Sequence, residues 1–302
     1  MSEVGSGPEN LDGTIEWGAL LAETRHRLVA GGVADNPRQE SKWILEEVTD
    51  TSGAEFAEAM TELATTRGVA RLDAMVARRN AGEPIQYVLG HWSFRTLDLM
   101  IDQRVLIPRP ETEEVAGLAI AELDRMHPDG GGVALDLGTG SGAIGLSVAV
   151  ERPRTDVVLT DVSEDAIAVA RANLSGLGLG GRSVAIEVGS WFEALAGRDH
   201  HSFDVIVSNP PYVETTAELA GSVLDWEPVG ALRSGADGLD DLRVIIAQAP
   251  TWLRPGGTLV AEIGATQGDA VAELMKAEGF TVTVHKDTAG LDRGLVARWS
   301  ES

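Results

Sequence analysis

The sequence lacks cysteine and long apolar segments, and both absences restrict what the protein can be. It contains no cysteine, which excludes disulfide bonds, thiolate zinc sites and thiol nucleophiles, and a reducing compartment fits this composition. No stretch approaches the roughly 18 apolar residues of a membrane span, and the start of the chain lacks the basic and apolar segments of a signal peptide. We therefore expect a soluble, cytoplasmic protein that does not bind membranes, with residues 1–13 as a disordered tail.

Basic residues are also scarce. The 302 residues include 24 Lys and Arg against 47 Asp and Glu, for a net charge of -23. A chain this acidic is repelled by a phosphate backbone unless a basic patch is concentrated locally. The longest basic cluster is Arg78-Arg79, which we interpret as a solvated helix face. We expect no direct nucleic-acid binding, and a basic protein as the better partner.

Residues 14–83 carry helical signals without any strand signal. Apolar residues recur at near-helical spacing from Trp17 to Leu28, and Gly31-Gly32 ends this pattern. A second helix is predicted over residues 37–48, and weaker helical patterns cover 56–63 and 69–79. We predict a small N-terminal helical domain, and we hypothesise that it docks the substrate.

Residues 84–111 change character. Gly82-Glu83-Pro84 breaks the helical pattern, and apolar residues then alternate with polar ones around Gly90, which is typical of a β-hairpin. Two prolines at 108 and 110 stiffen the exit, because each fixes its own φ and restricts its predecessor. We predict a β-hairpin linker.

Residues 112–302 alternate between helical and apolar strand patterns. This alternation favours an α/β fold with a mostly parallel sheet that is covered on both faces. The last two strands are separated by a short loop around Gly290, which favours an antiparallel pair. The predicted strands are 133–137, 157–160, 183–188, 203–208, 258–263, 280–285 and 294–299.

A glycine-rich turn follows the first of these strands. Gly138-Thr139-Gly140-Ser141-Gly142 makes a tight strand-to-helix turn that lets a ligand approach the backbone and the positive end of the next helix. Asp161 ends the following strand, where an acid can accept hydrogen bonds from the hydroxyls of an adenosine ribose. Together these features predict a nucleoside cofactor without saying which one. A tight turn without ligand, beside a surface Asp, is the competing interpretation.

The tetrapeptide Asn209-Pro210-Pro211-Tyr212 follows the strand 203–208, so it faces the same crevice. The Asn209 side-chain oxygen and the Pro210 carbonyl can accept the two hydrogens of one planar NH2 group, and Tyr212 offers a flat face. A delocalised nitrogen is a poor nucleophile, so holding its hydrogens and aiming its lone pair at an activated methyl group can supply much of the rate acceleration. No metal is required. The alternative interpretation is that residues 209–212 form an ordinary turn at the end of a strand, without a functional role.

Several functions share these features. A nucleic-acid adenine N6-methyltransferase faces the same planar NH2 group, but it must also hold a phosphate backbone, which the charge disfavours. A nicotinamide dehydrogenase would use the glycine loop and leave the tetrapeptide at 209–212 unexplained. A non-enzymatic adenosine-binding regulator or scaffold is a third alternative.

These residues resemble class I methyltransferases, and more narrowly the release factor glutamine N5-methyltransferases of the HemK/PrmC family. The most specific block is Pro108-Arg109-Pro110-Glu111-Thr112-Glu113. The resemblance covers nearly the whole chain from residue 14, and its other blocks are 78–87, the glycine loop, 208–212, 227–228 with 231–232, and 262–264 with Gln267.

The resemblance implies a Rossmann-like, seven-stranded, mostly parallel sheet, with S-adenosyl-L-methionine as co-substrate and S-adenosyl-L-homocysteine as product. It implies that class I peptide-chain release factors are the partners, and that the methylated atom is N5 of the glutamine in their Gly-Gly-Gln loop. The implied catalytic residues are Asn209, Pro210 and Tyr212, with Pro211 added for substrate binding. The implied cofactor contacts are Gly138, Thr139, Gly140, Ser141, Gly142, Asp161, Trp191 and Asn209.

One position departs from the family pattern. Relatives often carry an acid before the tryptophan, where it could meet the adenine amino group, and this chain has Ser190. A serine hydrogen-bonds more weakly than a carboxylate, because it carries no charge. Trp191 itself is interpreted as a wall of the adenine pocket, with a core aromatic at a strand end as the alternative.

Overall fold

The computed structural model describes residues 14–178, 183–218 and 225–300. The tail predicted over residues 1–13 lies outside these described residues. The chain divides into two compact units, Met1–Gly90 and His91–Ser302. Within the described part of the chain, no helix is both long enough and apolar enough to cross a membrane.

The first unit is helical. Its two long N-terminal helices have clear ends, because Gly32 adopts φ 70° after the first and the Asn36 side chain accepts from the Gln39 backbone before the second. Leu28, Ile44 and Leu45 are fully buried in a core of their own. The helices are α1 (Trp17–Gly31), α2 (Pro37–Thr49), α3 (Gly53–Ala59), α4 (Thr66–Asn80) and α5 (Ile85–Leu89).

The interpretation of Arg78-Arg79 as a solvated face is wrong for Arg79. The Arg79 side chain is buried and forms an ion pair of 2.7 Å with Glu40, which is also buried. Arg79 also donates to the Val33 and Glu83 carbonyls. A buried guanidinium is tolerated here because its donors are matched to acceptors, a condition that the local sequence does not display.

The hairpin prediction over 84–111 is wrong for its first part. Ile85–Leu89 forms α5, a short helix in which the Val88 amide donates to the Pro84 carbonyl. Gly90 ends it at φ 85°. Ile85, Tyr87 and Val88 are all buried. A short helix that is buried on most of its surface carries closely spaced apolar residues, and this pattern resembles that of a strand.

A two-stranded hairpin opens the second unit. Strands β1 (His91–Phe94) and β2 (Leu97–Met100) pair antiparallel, with Trp92 opposite Leu99. Asn173 anchors the end of β2, because its side chain accepts from the Met100 amide at 2.7 Å and donates to the Met100 carbonyl at 3.0 Å. The same side chain donates to the Ser141 carbonyl at 2.8 Å, which ties the hairpin to the glycine loop.

The core of the second unit is a seven-stranded sheet in the order β5-β4-β3-β6-β7-β9-β8. The strands β3 to β7 are parallel, and β9 is antiparallel to both of its neighbours. This confirms the α/β fold class and the antiparallel final pair. The strands are β3 (Val133–Leu137), β4 (Asp156–Asp161), β5 (Val184–Val188), β6 (Phe203–Ser208), β7 (Leu253–Glu262), β8 (Phe280–Lys286) and β9 (Asp292–Trp299).

Helices between the strands cover the sheet and supply the rest of the crevice at its carboxyl edge. Phe203, Leu135 and Leu259 are among the residues that are fully or almost fully buried between sheet and helices. These helices are α6 (Pro110–Met126), α7 (Ala143–Glu151), α8 (Glu164–Gly176), α9 (Asp240–Trp252) and α10 (Gly268–Ala277), with short 3-10 turns at Trp191–Leu195 and Val229–Ala231.

Candidate active site

The glycine loop is shaped by residues in the left-handed region. Gly138, Gly140 and Gly142 have φ of 71°, 56° and 88°, values that side chains with a Cβ rarely adopt. The amides of Gly138 and Thr139 both donate to the Thr160 carbonyl at 2.9 Å. The backbone itself therefore folds the loop against β4, and α7 starts directly behind it.

Asp161 fastens this loop from the end of β4. One carboxylate oxygen accepts from the Gly140 amide and the other from the Ser163 amide, both at 2.9 Å. An ionised carboxylate has about four acceptor positions, so each oxygen keeps capacity for a ligand hydroxyl. A Cβ added at Gly140 would have no neighbour within 4 Å, so the space above the loop is open.

Asp136 lies beneath the loop, and the sequence reasoning missed it within the apolar strand. Its Oδ2 accepts from the Thr139 hydroxyl at 2.6 Å and the Gly145 amide at 2.8 Å. Complete burial raises the pKa of Asp136 to about 6 despite these two bonds. An acid inside an apolar strand just before a glycine turn was the available signal. This carboxylate holds the turn and the first residues of α7 together.

Trp191 packs over the glycine loop. Its backbone has φ 45°, unusual for a bulky residue, and its ring lies where a Cβ on Gly138 would approach to 3.3 Å. The indole Nε1 donates to Asp241 Oδ1 at 3.2 Å. Trp191 is partly buried against the core and also lines the cavity, and Asp241 is a second residue that the sequence reasoning missed.

The tetrapeptide after β6 is held by side chains rather than by backbone pairing. Asn209 Nδ2 donates to the Thr112 hydroxyl at 3.2 Å, and this hydroxyl donates to Glu262 Oε2 at 2.7 Å. The Tyr212 hydroxyl donates to Glu262 Oε1 at 3.3 Å. The Tyr212 carbonyl accepts from Gln267 Nε2 at 3.0 Å. The Asn209 oxygen is therefore left to face another group.

Glu262 ends β7 and is fully buried. Burial raises its pKa to about 7, and the nearby Glu111 carboxylate raises it further, while Thr112, Arg293 and Tyr212 act in the opposite direction. Burial also raises the pKa of the Tyr212 hydroxyl, with Glu262 adding to the shift. The tyrosine therefore stays protonated and works as a hydrogen-bond donor.

A second buried acid fixes the segment before α6. Glu227 accepts from Arg109 at 2.5 Å and from the Ile107 amide at 3.2 Å. Its side chain is 2% exposed, whereas Arg109 is 31% exposed at the cavity wall. This pair holds the Pro108–Arg109 backbone beside the crevice, so that Thr112 in the first turn of α6 reaches Asn209.

One cavity of about 470 Å³ collects most of the predicted site residues. This volume lies in the range of pockets for small molecules and cofactors. Gly142 caps α7 just behind the wall, and among the described lining residues neither Pro210 nor Tyr212 occurs. The predicted residues on the wall are Gly138, Thr139, Gly140, Ser141, Asp161, Trp191, Asn209 and Pro211.

Two models of known families match the chain. The PrmC N-terminal domain matches residues 19–90, and the methyltransferase small domain matches residues 119–225. The release factor glutamine methyltransferase of Xylella fastidiosa is 45% identical over 227 residues, which are 74% of this chain and 80% of that protein. The release factor glutamine methyltransferase of Rhodospirillum rubrum is 38% identical over 300 residues, which are 97% of this chain and 89% of that protein.

The chain belongs to the release factor glutamine methyltransferase family. The resemblance predicted from the sequence is thereby confirmed. Among solved structures, a methyltransferase from Pyrococcus furiosus matches with a TM-score of 0.50 at 20% identity, covering 76% of this chain and 98% of that chain. At this identity the likeness concerns the fold alone, and it agrees with the mostly parallel sheet.

The cavity residues fit a nucleoside cofactor, as expected for a member of the release factor glutamine methyltransferase family. The space above Gly140 is open, Asp161 keeps free acceptor capacity, and the Trp191 ring forms a flat wall over Gly138. Ser190 and Asp241 also line this cavity. The individual roles of these residues stay predictions.

Proposed function

We propose that this protein transfers the methyl group of S-adenosyl-L-methionine to the side-chain N5 of the glutamine in the Gly-Gly-Gln loop of class I peptide-chain release factors. The observation that carries the proposal is the direction of the Asn209 amide. Its NH2 group donates to Thr112, so its oxygen is free to accept from a substrate NH2 group at the cavity that the glycine loop also lines.

Positioning supplies the catalysis in this proposal. Asn209 Oδ1 accepts one amide hydrogen of the glutamine, and the Pro210 carbonyl accepts the other. No hydrogen bond to this carbonyl occurs within the described part of the chain. With both hydrogens held, the nitrogen lone pair points at the activated sulfonium methyl group that the cofactor supplies when bound. Correct orientation of two reactants contributes up to roughly 7–11 kcal/mol.

The reaction balances without a metal or a strong base. A nitrogen–carbon bond forms, a sulfur–carbon bond breaks with its electron pair left on sulfur, and the proton released from the nitrogen passes to solvent water, so that S-adenosyl-L-homocysteine is the coproduct. The glycine loop would hold the methionine part and the sugar, with Asp161 accepting from the ribose hydroxyls. Trp191 would cover the adenine. Tyr212, held by Glu262, would pack beside the glutamine amide.

The acidic character of the chain supports a protein substrate over a nucleic acid. A net charge of -23 opposes a phosphate backbone, and a positively charged protein segment meets no such opposition. We also propose the N-terminal helical unit as the docking element, since it forms a compact unit with a hydrophobic core of its own. A cytoplasmic setting follows from a substrate that acts in translation.

The test is transfer from methyl-labelled S-adenosyl-L-methionine to three acceptors. These are a purified release factor, the same factor with the Gly-Gly-Gln glutamine changed to alanine, and double-stranded DNA. We expect label on the first acceptor only. Label on the alanine variant would place the methyl group elsewhere on the factor, and label on DNA would favour the adenine alternative. Either result would contradict the proposal.

A further inference from the structure

The contacts behind Asn209 form a directed chain from three separate elements. Thr112 comes from the first turn of α6, Glu262 from the end of β7, and Asn209 follows β6 directly. The distances are 3.2 Å from Asn209 Nδ2 to Thr112 Oγ1 and 2.7 Å from Thr112 Oγ1 to Glu262 Oε2. The positions are 97 and 150 residues apart in sequence, so only the fold brings them together.

The hydrogen count gives this chain its direction. Above its pKa of about 7, Glu262 is ionised and only accepts hydrogen bonds, so the single hydrogen of the Thr112 hydroxyl then points at Glu262. The Thr112 oxygen can then only accept, and its partner must be the NH2 end of Asn209. An asparagine amide is nearly symmetric in shape, so contacts of this kind decide which end faces the substrate. The carboxylate of Glu262 thereby fixes the orientation of the Asn209 amide through two successive hydrogen bonds.

Burial makes this control effective. Glu262 is 0% and Thr112 is 4% exposed, so bulk water has little access to replace either partner. In the described part of the chain, Glu262 forms no ion pair with any Lys, Arg or His, and Arg293 pairs with Asp287 instead. A buried carboxylate without a cation is costly unless its hydrogen bonds are satisfied. Glu262 receives these bonds from Thr112 and Tyr212, the residues that support the tetrapeptide.

We propose that Thr112 and Glu262 are positioning residues that keep the Asn209 oxygen, rather than its NH2 group, turned toward the glutamine amide. This inference rests on the proposed function, since it assigns the substrate NH2 group to Asn209. A reversed Asn209 would present a donor to another donor, and the glutamine hydrogens would lose one of their two acceptors. The residues act through Asn209 and do not touch the reacting atoms.

The experiment compares Thr112→Val, which keeps the shape and removes the hydroxyl, with Thr112→Ser, which keeps the hydroxyl. We expect Thr112→Val to lower kcat for release-factor methylation by about 10- to 100-fold, since small misplacements of reacting groups have effects of this size. The Kd for S-adenosyl-L-methionine is expected to stay unchanged. Thr112→Ser is expected to recover most of the rate, which a loss of packing alone would not predict.

Two further variants test whether the effect passes through Asn209. In an Asn209→Ala background, Thr112→Val is expected to have no additional effect on kcat. The same loss in both backgrounds, or a wild-type rate for Thr112→Val alone, would overturn the inference. Glu262→Gln retains hydrogen-bonding groups but no longer enforces the direction of the Thr112 hydrogen, so we expect a smaller loss than for Thr112→Val. An unchanged kcat would count against the role of Glu262.

A measurement without any methyl acceptor separates this inference from the proposed function. In protein labelled with ¹⁵N-asparagine, the side-chain NH2 hydrogens of Asn209 are expected to exchange slowly with water in the wild type and faster in Thr112→Val. Equally fast exchange in both proteins would overturn the inference. An inactive wild-type enzyme with slow, Thr112-dependent exchange would instead contradict the proposed function and leave the positioning chain intact.

Discussion

The two sides of the cavity are built by different means. The glycine-loop side is held mainly by backbone geometry, with three glycines at positive φ and main-chain amides that donate to the Thr160 carbonyl and to the Asp136 and Asp161 carboxylates. The Asn209 side is held by side chains, through Thr112, Glu262 and Tyr212. Backbone geometry depends on a few neighbouring residues, whereas the side-chain contacts require several distant segments to meet. The first side should therefore respond to added side-chain atoms, and the second to the loss of single polar atoms.

The largest effect is expected from Asn209→Ala. Removal of one preorganised hydrogen-bonding group at a reacting centre lowers kcat by about 10²- to 10³-fold. Methyl transfer should fall by this factor, while calorimetry should find cofactor binding largely intact. If the cofactor affinity collapsed as well, Asn209 would belong mainly to the cofactor pocket, and the separation of the two sides would fail.

On the Asn209 side of the cavity, the buried Glu262 should make the stability of the protein depend on pH. Its pKa rises from 4.5 in the unfolded chain to about 7 in the folded protein, so the folded state binds more protons between these values. The free energy of unfolding therefore falls as pH rises through this window, by about 3 kcal/mol. Glu111, Arg293 and Tyr212 surround this carboxylate and contribute to its pKa.

Glu262→Gln is the matched control, because it has nearly the same shape and does not titrate. Urea unfolding of both proteins from pH 4.5 to above 7 measures the difference between their pH slopes. Comparison with the variant also cancels the contribution of Asp136, whose pKa is raised in an overlapping range. Parallel slopes for the two proteins would show that folding does not raise the pKa of Glu262, and they would contradict the prediction.

Asp161→Ala tests the ligand contact of the backbone-built side. The carboxylate accepts from Gly140 and, in the proposed function, from the ribose hydroxyls. Loss of a hydrogen bond to a charged group costs roughly 1.5–3 kcal/mol, so the Kd for S-adenosyl-L-methionine should rise about 10- to 100-fold. With saturating cofactor, kcat should be largely restored. A reduced kcat with unchanged Kd would assign Asp161 to the transfer step instead.

The smallest effect is expected from Gly142→Ala, which should lower the free energy of unfolding rather than the rate of methyl transfer. Its φ is 88°, and a Cβ there would lie 2.7 Å from Leu146 Cδ1, so we expect a loss of about 1–3 kcal/mol. Gly140→Ala is the matched control, because its φ is also positive but no atom lies within 4 Å of the added Cβ. Equal losses in urea unfolding would show that the contact with Leu146 is unimportant.

The same contrast explains what could be predicted from the sequence. The glycine loop and Asp161 were found because their spacing follows from the local strand-turn-helix pattern. Thr112 and Glu262 lie in sequence blocks typical of the family, but the sequence assigns them no role, since only the fold places α6 and the end of β7 behind Asn209. Asp241, which meets Trp191, was missed for the same reason.

Outside the site, the errors have a similar origin. Ile85–Leu89 was interpreted as part of a hairpin because a single helical turn is too short to show a helical period. Arg79 was interpreted as solvated because its partner, Glu40, lies 39 residues away. Strands with long apolar patterns, such as Phe203–Ser208, were predicted well because burial on both faces leaves an uninterrupted signal.

Tandem mass spectrometry of the release factor, after reaction with the wild-type protein, locates the transferred methyl group and so tests the proposed role of Asn209 and Pro210. We predict one added methyl group on the side-chain nitrogen of the Gly-Gly-Gln glutamine, released as N5-methylglutamine, and far less of it in the same reaction time with Asn209→Ala. A methyl group on a lysine, an arginine or a backbone nitrogen would contradict it, because those acceptors do not present a planar side-chain amide to Asn209 and Pro210.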